Sequence, residues 1–191
     1  MDKKRCWGNK DELAKIYHDT EWGVPEYDDQ VLFEFLILEG AQAGLNWMTI
    51  LKRRERYKRA FDNFDYKKIS RYDQKKIDSL LQDTGIIRNK LKIHSAILNA
   101  QVFVDIQKEF GSFANYIWAF IDNKPIMNNF KDWKEIPAKT DISDKISKDL
   151  KKRGMKFVGS TIIYAYMQAI GMVNDHLVSC FRHKAIINET S

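Results

Sequence analysis

Residues 28–47 combine a helical apolar pattern with an acidic residue that interrupts it. Side chains three and four residues apart share one face of a helix, and Glu39 continues such an apolar face. Burying an unpaired charge is costly, so this carboxylate indicates a binding role, or else an ion pair with an Arg or Lys. Asn46, a good N-cap, and the flat ring of Trp47 follow. The stretch therefore predicts the wall of a pocket for a flat, polar ligand. The residues on this face are Leu32, Phe35, Leu36 and Glu39.

The same helical spacing recurs along the chain, and almost no segment shows the alternation of a strand. The sequence therefore predicts an all-α fold, in which residues 123–140 form an irregular surface loop with two prolines. Helices are expected within the segment that ends at 20, from 28 onward, and over 47–60, 65–71, 73–83, 88–110, 112–121, about 143–153, 160–170 and 174–182. Ser143 or Asp144 is expected to cap the helix that ends near residue 153.

Composition limits the function classes. The 191-residue chain has a formal net charge of +6 and a pI of about 9.1, which favours an anionic partner, although a soluble protein can simply be basic. No signal peptide or membrane-length apolar run is present, so we expect a cytoplasmic protein. Two cysteines at opposite ends of a cytosolic chain argue against a structural disulfide and leave metal binding or inert burial.

A basic hairpin is expected between two helical patterns at residues 151–161. Glycines mark the tight turn, and the free N–H groups of the following helix could bind phosphate. The pattern favours a sequence-independent grip on a nucleic-acid backbone, whereas an ordinary helical hairpin with solvated lysines is the alternative. The candidate DNA-binding residues are Lys152, Arg153, Gly154, Lys156 and Gly159.

Cysteines and histidines near the two chain ends have spacings typical of metal ligands. His176 and Cys180 are four residues apart, which on a helix places both side chains on one face. Cys6 and His18 offer a second pair, and the four residues together predict a closed structural zinc site that ties the chain ends together. Buried cysteines and histidines without a metal are the alternative, and His183 could replace His176 as a ligand.

Five motifs in order carry a close resemblance to a known family, from Cys6 to about Cys180. The sequence resembles the bacterial 3-methyladenine DNA glycosylase I family, whose members act in alkylation repair. Departures are small, since Ala41 and Asn46 stand where family members often have Gln and Ser. The motifs are YHDTEWGVP (17–25), LEGAQAGLNW (38–47), DTGIIR (83–88), KKRGMKFVG (151–159) and GMVNDH (171–176).

The resemblance implies a helix-hairpin-helix fold in a single glycosylase domain over 1–183, followed by a C-terminal tail over 184–191. It implies a structural zinc on the four cysteine and histidine ligands, and DNA held at the hairpin. Many glycosylases of the wider superfamily have a catalytic Asp where Asn174 stands here, so that carboxylate is expected to be absent. The implied base pocket consists of Tyr17, Trp22, Glu39 and Trp47.

The implied reaction is hydrolysis of the N-glycosidic bond of 3-methyladenine in alkylated double-stranded DNA, without a lyase step. Methylation gives the base a positive charge, which aromatic faces attract and which lets the base leave neutral, without a strong general acid. Glu39 is the predicted catalytic residue, acting through recognition and electrostatics. A monomer without a protein partner is expected. The alternatives are a non-catalytic zinc-containing DNA-binding module and an enzyme of the same fold that acts on another lesion.

Overall fold

The computed structural model describes residues 3–190, and most of them lie in helices. The helices are α1 (Glu12–Thr20), α2 (Asp29–Gln42), α3 (Trp47–Leu51), α4 (Arg54–Ala60), α5 (Tyr66–Ile69), α6 (Gln74–Gln82), α7 (Lys90–Phe110), α8 (Phe113–Trp118), α9 (Asp141–Lys152), α10 (Ser160–Ala169) and α11 (Phe181–Thr190). Short 3-10 turns occupy Asp62–Phe64, Ala119–Ile121 and Trp133–Glu135. None of the helices in the described part is long and apolar enough to cross a bilayer.

Helix α2 lies at the centre of the core, and α7, α8 and α10 pack against it. Ten consecutive residues of α2, 32–41, are buried, so the helix is enclosed on all sides rather than along the single stripe that the sequence predicted. Asp28 caps its N-terminus by accepting hydrogen bonds from two backbone N–H groups, and Tyr166 of α10 donates a hydrogen bond to the Leu32 carbonyl. The last turn of this helix carries Glu39.

Helix caps explain most of the observed boundaries. Asn46 accepts a hydrogen bond from the Met48 N–H at 2.8 Å, which confirms the predicted cap at the start of α3. The cap of α9 is Thr140 rather than the predicted Ser143 or Asp144, because Ser143 completes a reciprocal capping box with it. The helix predicted over 47–60 is divided into α3 and α4 by a tight turn at 52–53.

The helix predicted over 174–182 is wrong. Val173 and Asn174 form a short parallel strand (β2) that pairs with Ile126–Met127 (β1), and helix α11 begins only at Phe181. The fully buried Asn174 side chain accepts from the His176 N–H and donates to the His183 carbonyl, which are local bonds that compete with a helix.

The strand pair also qualifies the all-α prediction, since it joins the loop at 123–140 to the segment after α10. The residues after 183 continue α11, in which Ile186 is fully buried. The boundary of the domain at 183 and a separate tail over 184–191 stay predictions, and Ser191 lies outside the described residues.

Candidate functional site

A cleft of about 250 Å³ opens beside the last turn of α2. Its volume is near the lower end of small-molecule pockets, about 300 Å³, which suits a single flat group. Helices α1, α2, α3 and α10 contribute to its walls, together with the N-terminal segment and the loop before α9. All four predicted base-binding residues line it. The lining residues are Trp7, Tyr17, Trp22, Glu39, Gln42, Trp47, Trp133, Ala165 and Gln168.

Glu39 is buried in this cleft with 5% of its surface exposed. Within the described chain its carboxylate has neither a hydrogen-bond donor nor a cation, so the alternative of a buried ion pair is wrong. Glu34, on the same helix and equally buried, is instead paired with Arg54. Burial raises the pKa of the Glu39 carboxyl to about 8. The one acidic group of α2 that lacks a partner is therefore the one that faces the cleft.

Aromatic rings line the same cleft as this carboxyl group. Tyr17 is buried, and its ring centroid lies 5.3 Å from that of Trp47. Trp22 lies edge-on to Trp7, with centroids 5.4 Å apart. Burial, followed by the charges of nearby carboxylates including Glu39, raises the pKa of Tyr17 well above its usual value, so the hydroxyl stays neutral. The cleft thus offers π faces and one acidic group, an arrangement that attracts a cationic ring.

Five lining residues were not predicted from the sequence: Trp7, Gln42, Trp133, Ala165 and Gln168. The tryptophan content is the signal that could have revealed part of this set. Four of the five tryptophans in the chain line the cleft, and the fifth is buried in the core at Trp118. Ligand pockets are lined predominantly by apolar and aromatic side chains, so a high tryptophan content is consistent with such a pocket.

The four predicted metal ligands come together beside the cleft, with their ligand atoms all within 4.8 Å of one another. Cys6 Sγ lies 3.3 Å from His18 Nε2 and 3.5 Å from His176 Nδ1. Cys180 Sγ lies 3.5 Å and 3.6 Å from the same two nitrogens. Tetrahedral zinc bonds of about 2.3 Å to sulfur and 2.0–2.1 Å to nitrogen would separate these atoms by about 3.5 Å, so the donor set fits the ion.

Hydrogen bonds on the outer side of each imidazole fix which nitrogen faces the cluster. His18 Nδ1 donates to Asp19 Oδ1 at 2.8 Å, and His176 Nε2 donates to the Trp22 carbonyl at 2.9 Å. The opposite nitrogen of each ring is left with a lone pair aimed at the thiols, as metal-binding histidines require. His183 donates instead to the Asn128 carbonyl, so it does not replace His176.

The i, i+4 helical spacing that suggested the second ligand pair is not the reason for this geometry. His176 lies after β2 in irregular backbone, and Cys180 immediately precedes α11. The ligands converge because this segment is held to the N-terminal one, in part by a hydrogen bond from the Phe181 N–H to the Lys4 carbonyl.

The basic hairpin joins α9 to α10. Gly154 ends α9 with a φ of +106°, a conformation that favours glycine, and the Met155 N–H donates back to the Leu150 carbonyl. Asn99 of α7 clamps the turn, because its side-chain amide donates to the Lys156 carbonyl and accepts from the Lys156 N–H. Gly159 is the N-cap residue of α10 and provides no side-chain cap, so the first N–H groups of that helix keep their donor capacity.

The cations of the hairpin are not equivalent. The side chains of Lys152 and Lys156 are exposed and have no ion-pair partner within the described residues. Arg153 is bound to Glu109 and Asp149, and its guanidinium lies over two aromatic rings. The contacts of Arg153 therefore argue against a direct role for it in the predicted DNA contact.

The chain is a mostly helical protein with a cleft whose lining suits a flat, positively charged or hydrogen-donating molecule. Comparison with known proteins is more specific. The methyladenine glycosylase family model matches residues 7–183. The DNA-3-methyladenine glycosylase 1 of Escherichia coli (strain K12) is 46% identical over 178 residues, which are 93% of this chain and 95% of that protein. The chain therefore belongs to the methyladenine glycosylase family, as its motifs predicted.

Solved structures agree with this assignment. The crystal structure of a 3-methyladenine DNA glycosylase I is 47% identical, with a TM-score of 0.91 over 93% of this chain and 98% of that chain. A structure of the Staphylococcus aureus 3-methyladenine DNA glycosylase I, which addresses 3-methyladenine recognition, is 34% identical, with a TM-score of 0.88 over 90% and 92% of the two chains.

Proposed function

We propose that this enzyme hydrolyses the N-glycosidic bond of 3-methyladenine in alkylated double-stranded DNA, after the damaged base has been flipped into the aromatic cleft. The observation that carries the proposal is the unpaired, buried carboxyl group of Glu39 among aromatic walls. A cleft of this kind favours a cationic purine over a neutral one, because each cation–π contact contributes about 0.5–2 kcal/mol. Membership of the methyladenine glycosylase family supports the same substrate.

The chemistry requires little proton transfer. As the bond between the base and the sugar breaks, its electron pair neutralises the methylated ring, and the sugar develops the character of an oxocarbenium ion. Ionised Glu39 accepts a hydrogen bond from the exocyclic amine of the base and, as a negative charge in a site of low dielectric, stabilises the developing cation. A water molecule then attacks the sugar carbon and loses its proton to solvent.

The lining of the cleft supports hydrolysis without strand cleavage. None of the described residues that line it is a lysine, so no amine is available there to form a Schiff base with the sugar. Asn174, at the position of the superfamily aspartate, is fully buried and bonded to the protein backbone. Glu39 is therefore the acidic group on which we base the mechanism.

We propose that the four-residue cluster holds a structural zinc ion that joins the N- and C-terminal segments. The ion would supply rigidity, since it would link Cys6 and His18 to His176 and Cys180 across most of the sequence. Purified protein is expected to contain about one equivalent of zinc by elemental analysis. Less than half an equivalent would contradict the four-ligand site.

The hairpin is the proposed DNA contact of this helix-hairpin-helix arrangement. The uncapped start of α10 after Gly159 offers backbone N–H groups to a phosphate, and Lys152 and Lys156 add positive charge. Such contacts bind the duplex without reading its sequence, which suits an enzyme that searches for rare damage. We propose that the protein acts as a monomer in the cytoplasm without a protein partner.

Base release from alkylated DNA tests the proposal. Wild-type protein is expected to release free 3-methyladenine and leave an intact strand with an abasic site, and Trp47→Ala is expected to lower the release rate. The alternative is a non-catalytic zinc-containing DNA-binding module. Well-folded protein that binds duplex DNA but releases no base would favour that alternative.

A further inference from the structure

We infer that Trp133 is a further base-binding residue, which forms the outer aromatic wall of the cleft. This inference rests on the proposed function and extends its binding site to a loop that the sequence motifs do not include. Trp133 lies in the 3-10 turn Trp133–Glu135, within the irregular segment between α8 and α9. It lines the cleft together with Glu39, and its ring centroid lies 6.2 Å from that of Trp22.

The exposure of Trp133 differs from that of the other lining residues. With 41% of its surface exposed, Trp133 is the most exposed of the described residues that line the cleft, and the others are buried or half-buried. Trp22, its aromatic neighbour, is only 8% exposed. An exposed indole at the mouth of a cleft leaves apolar surface in contact with water. A flat base that stacks on the ring would remove that surface from water, which is favourable.

The position of this indole is nevertheless fixed. Its Nε1 donates a hydrogen bond to the Cys6 carbonyl at 2.9 Å, and Asp132 caps the turn that carries it. Glu135 accepts a hydrogen bond from the Lys131 N–H, which closes the turn on its other side. The ring is therefore held in place before any ligand enters, and binding costs little side-chain entropy.

The contact with Cys6 also suggests a purely structural role, in which Trp133 only braces the segment that carries a metal ligand. Two substitutions separate the roles. Trp133→Phe keeps an aromatic face but removes the N–H donor, whereas Trp133→Leu removes both. If the ring binds the base, only the leucine variant loses affinity; if the hydrogen bond matters, both variants lose it equally.

The experiment measures binding of free 3-methyladenine by calorimetry and its release from alkylated duplex DNA, beside zinc content and Tm. Trp133→Leu is expected to weaken base binding and lower kcat/KM by about 2–30-fold, the range of one aromatic contact. Trp133→Phe is expected to stay within about twofold of wild type. Tyr27, a somewhat more exposed aromatic residue outside the cleft, provides the control, and Tyr27→Leu is expected to change neither quantity.

Two results would overturn the inference: base binding by Trp133→Leu that matches wild type, or equal losses in the leucine and phenylalanine variants, whatever their zinc content. Failure of the proposed function gives a different result, because the wild-type protein would then release no 3-methyladenine at all.

Discussion

Replacing Glu39 with glutamine should change stability and activity in opposite directions, because the wild-type carboxyl group is buried without a partner. Burial raises its pKa from 4.5 to about 8, so the folded protein holds the proton more tightly than the unfolded chain does. The stability associated with the protonated group is fully present below pH 4.5 and is lost as the pH rises through 8. At about 1.4 kcal/mol per pKa unit, the loss is at most about 5 kcal/mol.

The amide of Glu39→Gln has almost the same shape but cannot ionise. We therefore expect the variant to match wild type near pH 4.5 and to become progressively more stable than wild type up to about pH 8. For a chain of this length, 1 kcal/mol corresponds to about 2–4 °C in Tm, so the difference at high pH is at most about 20 °C. Thermal unfolding between pH 4.5 and 9, in matched buffers, measures it.

Glu34→Gln is the matched control, since it changes the other buried carboxylate of α2. It removes the more buried of the two carboxylates that pair with Arg54, the other being Glu21. We therefore expect it to destabilise the protein at neutral and high pH, the opposite sign. The pH dependence of activity is the second part of the test. Because only ionised Glu39 is expected to be active, wild-type kcat/KM should rise about tenfold per unit of pH below 8 and level off above it.

The kcat/KM of Glu39→Gln should be about 10²-fold lower than that of wild type above pH 8, and it should not rise with pH. A Tm difference that does not vary with pH, together with a wild-type rate profile that is flat between pH 6 and 9, would refute the assignment of an unpaired, ionising Glu39.

Three further predictions concern the cysteine–histidine cluster and the hairpin. Cys180→Ser removes one proposed ligand. We expect it to lower the zinc content measured by elemental analysis and to lower Tm by about 6–12 °C, whereas an unchanged zinc content would contradict the site. Lys156→Gln should reduce the salt dependence of DNA binding by about one phosphate contact, measured as the slope of log affinity against log salt, and an unchanged slope would exclude this contact. Asn99→Ala removes both hydrogen bonds to Lys156, and chemical denaturation should show a loss of about 1–3 kcal/mol; a loss below 0.5 kcal/mol would show that the clamp contributes little.

Most of the helices could be predicted from local signals in the sequence. Asn46 caps α3 as predicted, because an Asx cap depends only on the next few residues. The segment at 174–182 was misjudged because its conformation depends on distant partners. The strand pairing of Asn174 with Met127 and its bond to His183 cannot be deduced from helical spacing.

The residues of the site likewise divide into those that local sequence signals predicted and those that they did not. Glu39 was recognisable because an acidic residue on an apolar face is unusual, and it lies where that argument placed it. Trp7 and Trp133 were missed because both lie in irregular segments, where no periodicity indicates which way a side chain points. The four candidate metal ligands converge as predicted although the helix invoked for His176 and Cys180 is absent, since donor chemistry limited the choice more than spacing did.

The cysteine–histidine cluster lies next to the cleft and is linked to three of its tryptophans, which has a consequence for base excision. Trp7 follows Cys6 in the chain, Trp22 accepts the outer hydrogen bond of His176, and Trp133 donates to the Cys6 carbonyl. If the cluster holds the proposed zinc ion, removing that ion would loosen the three indole walls together, whereas the hairpin, which Asn99 holds, would keep its shape. Metal-depleted protein would then be expected to bind duplex DNA through the proposed hairpin contact without releasing the damaged base.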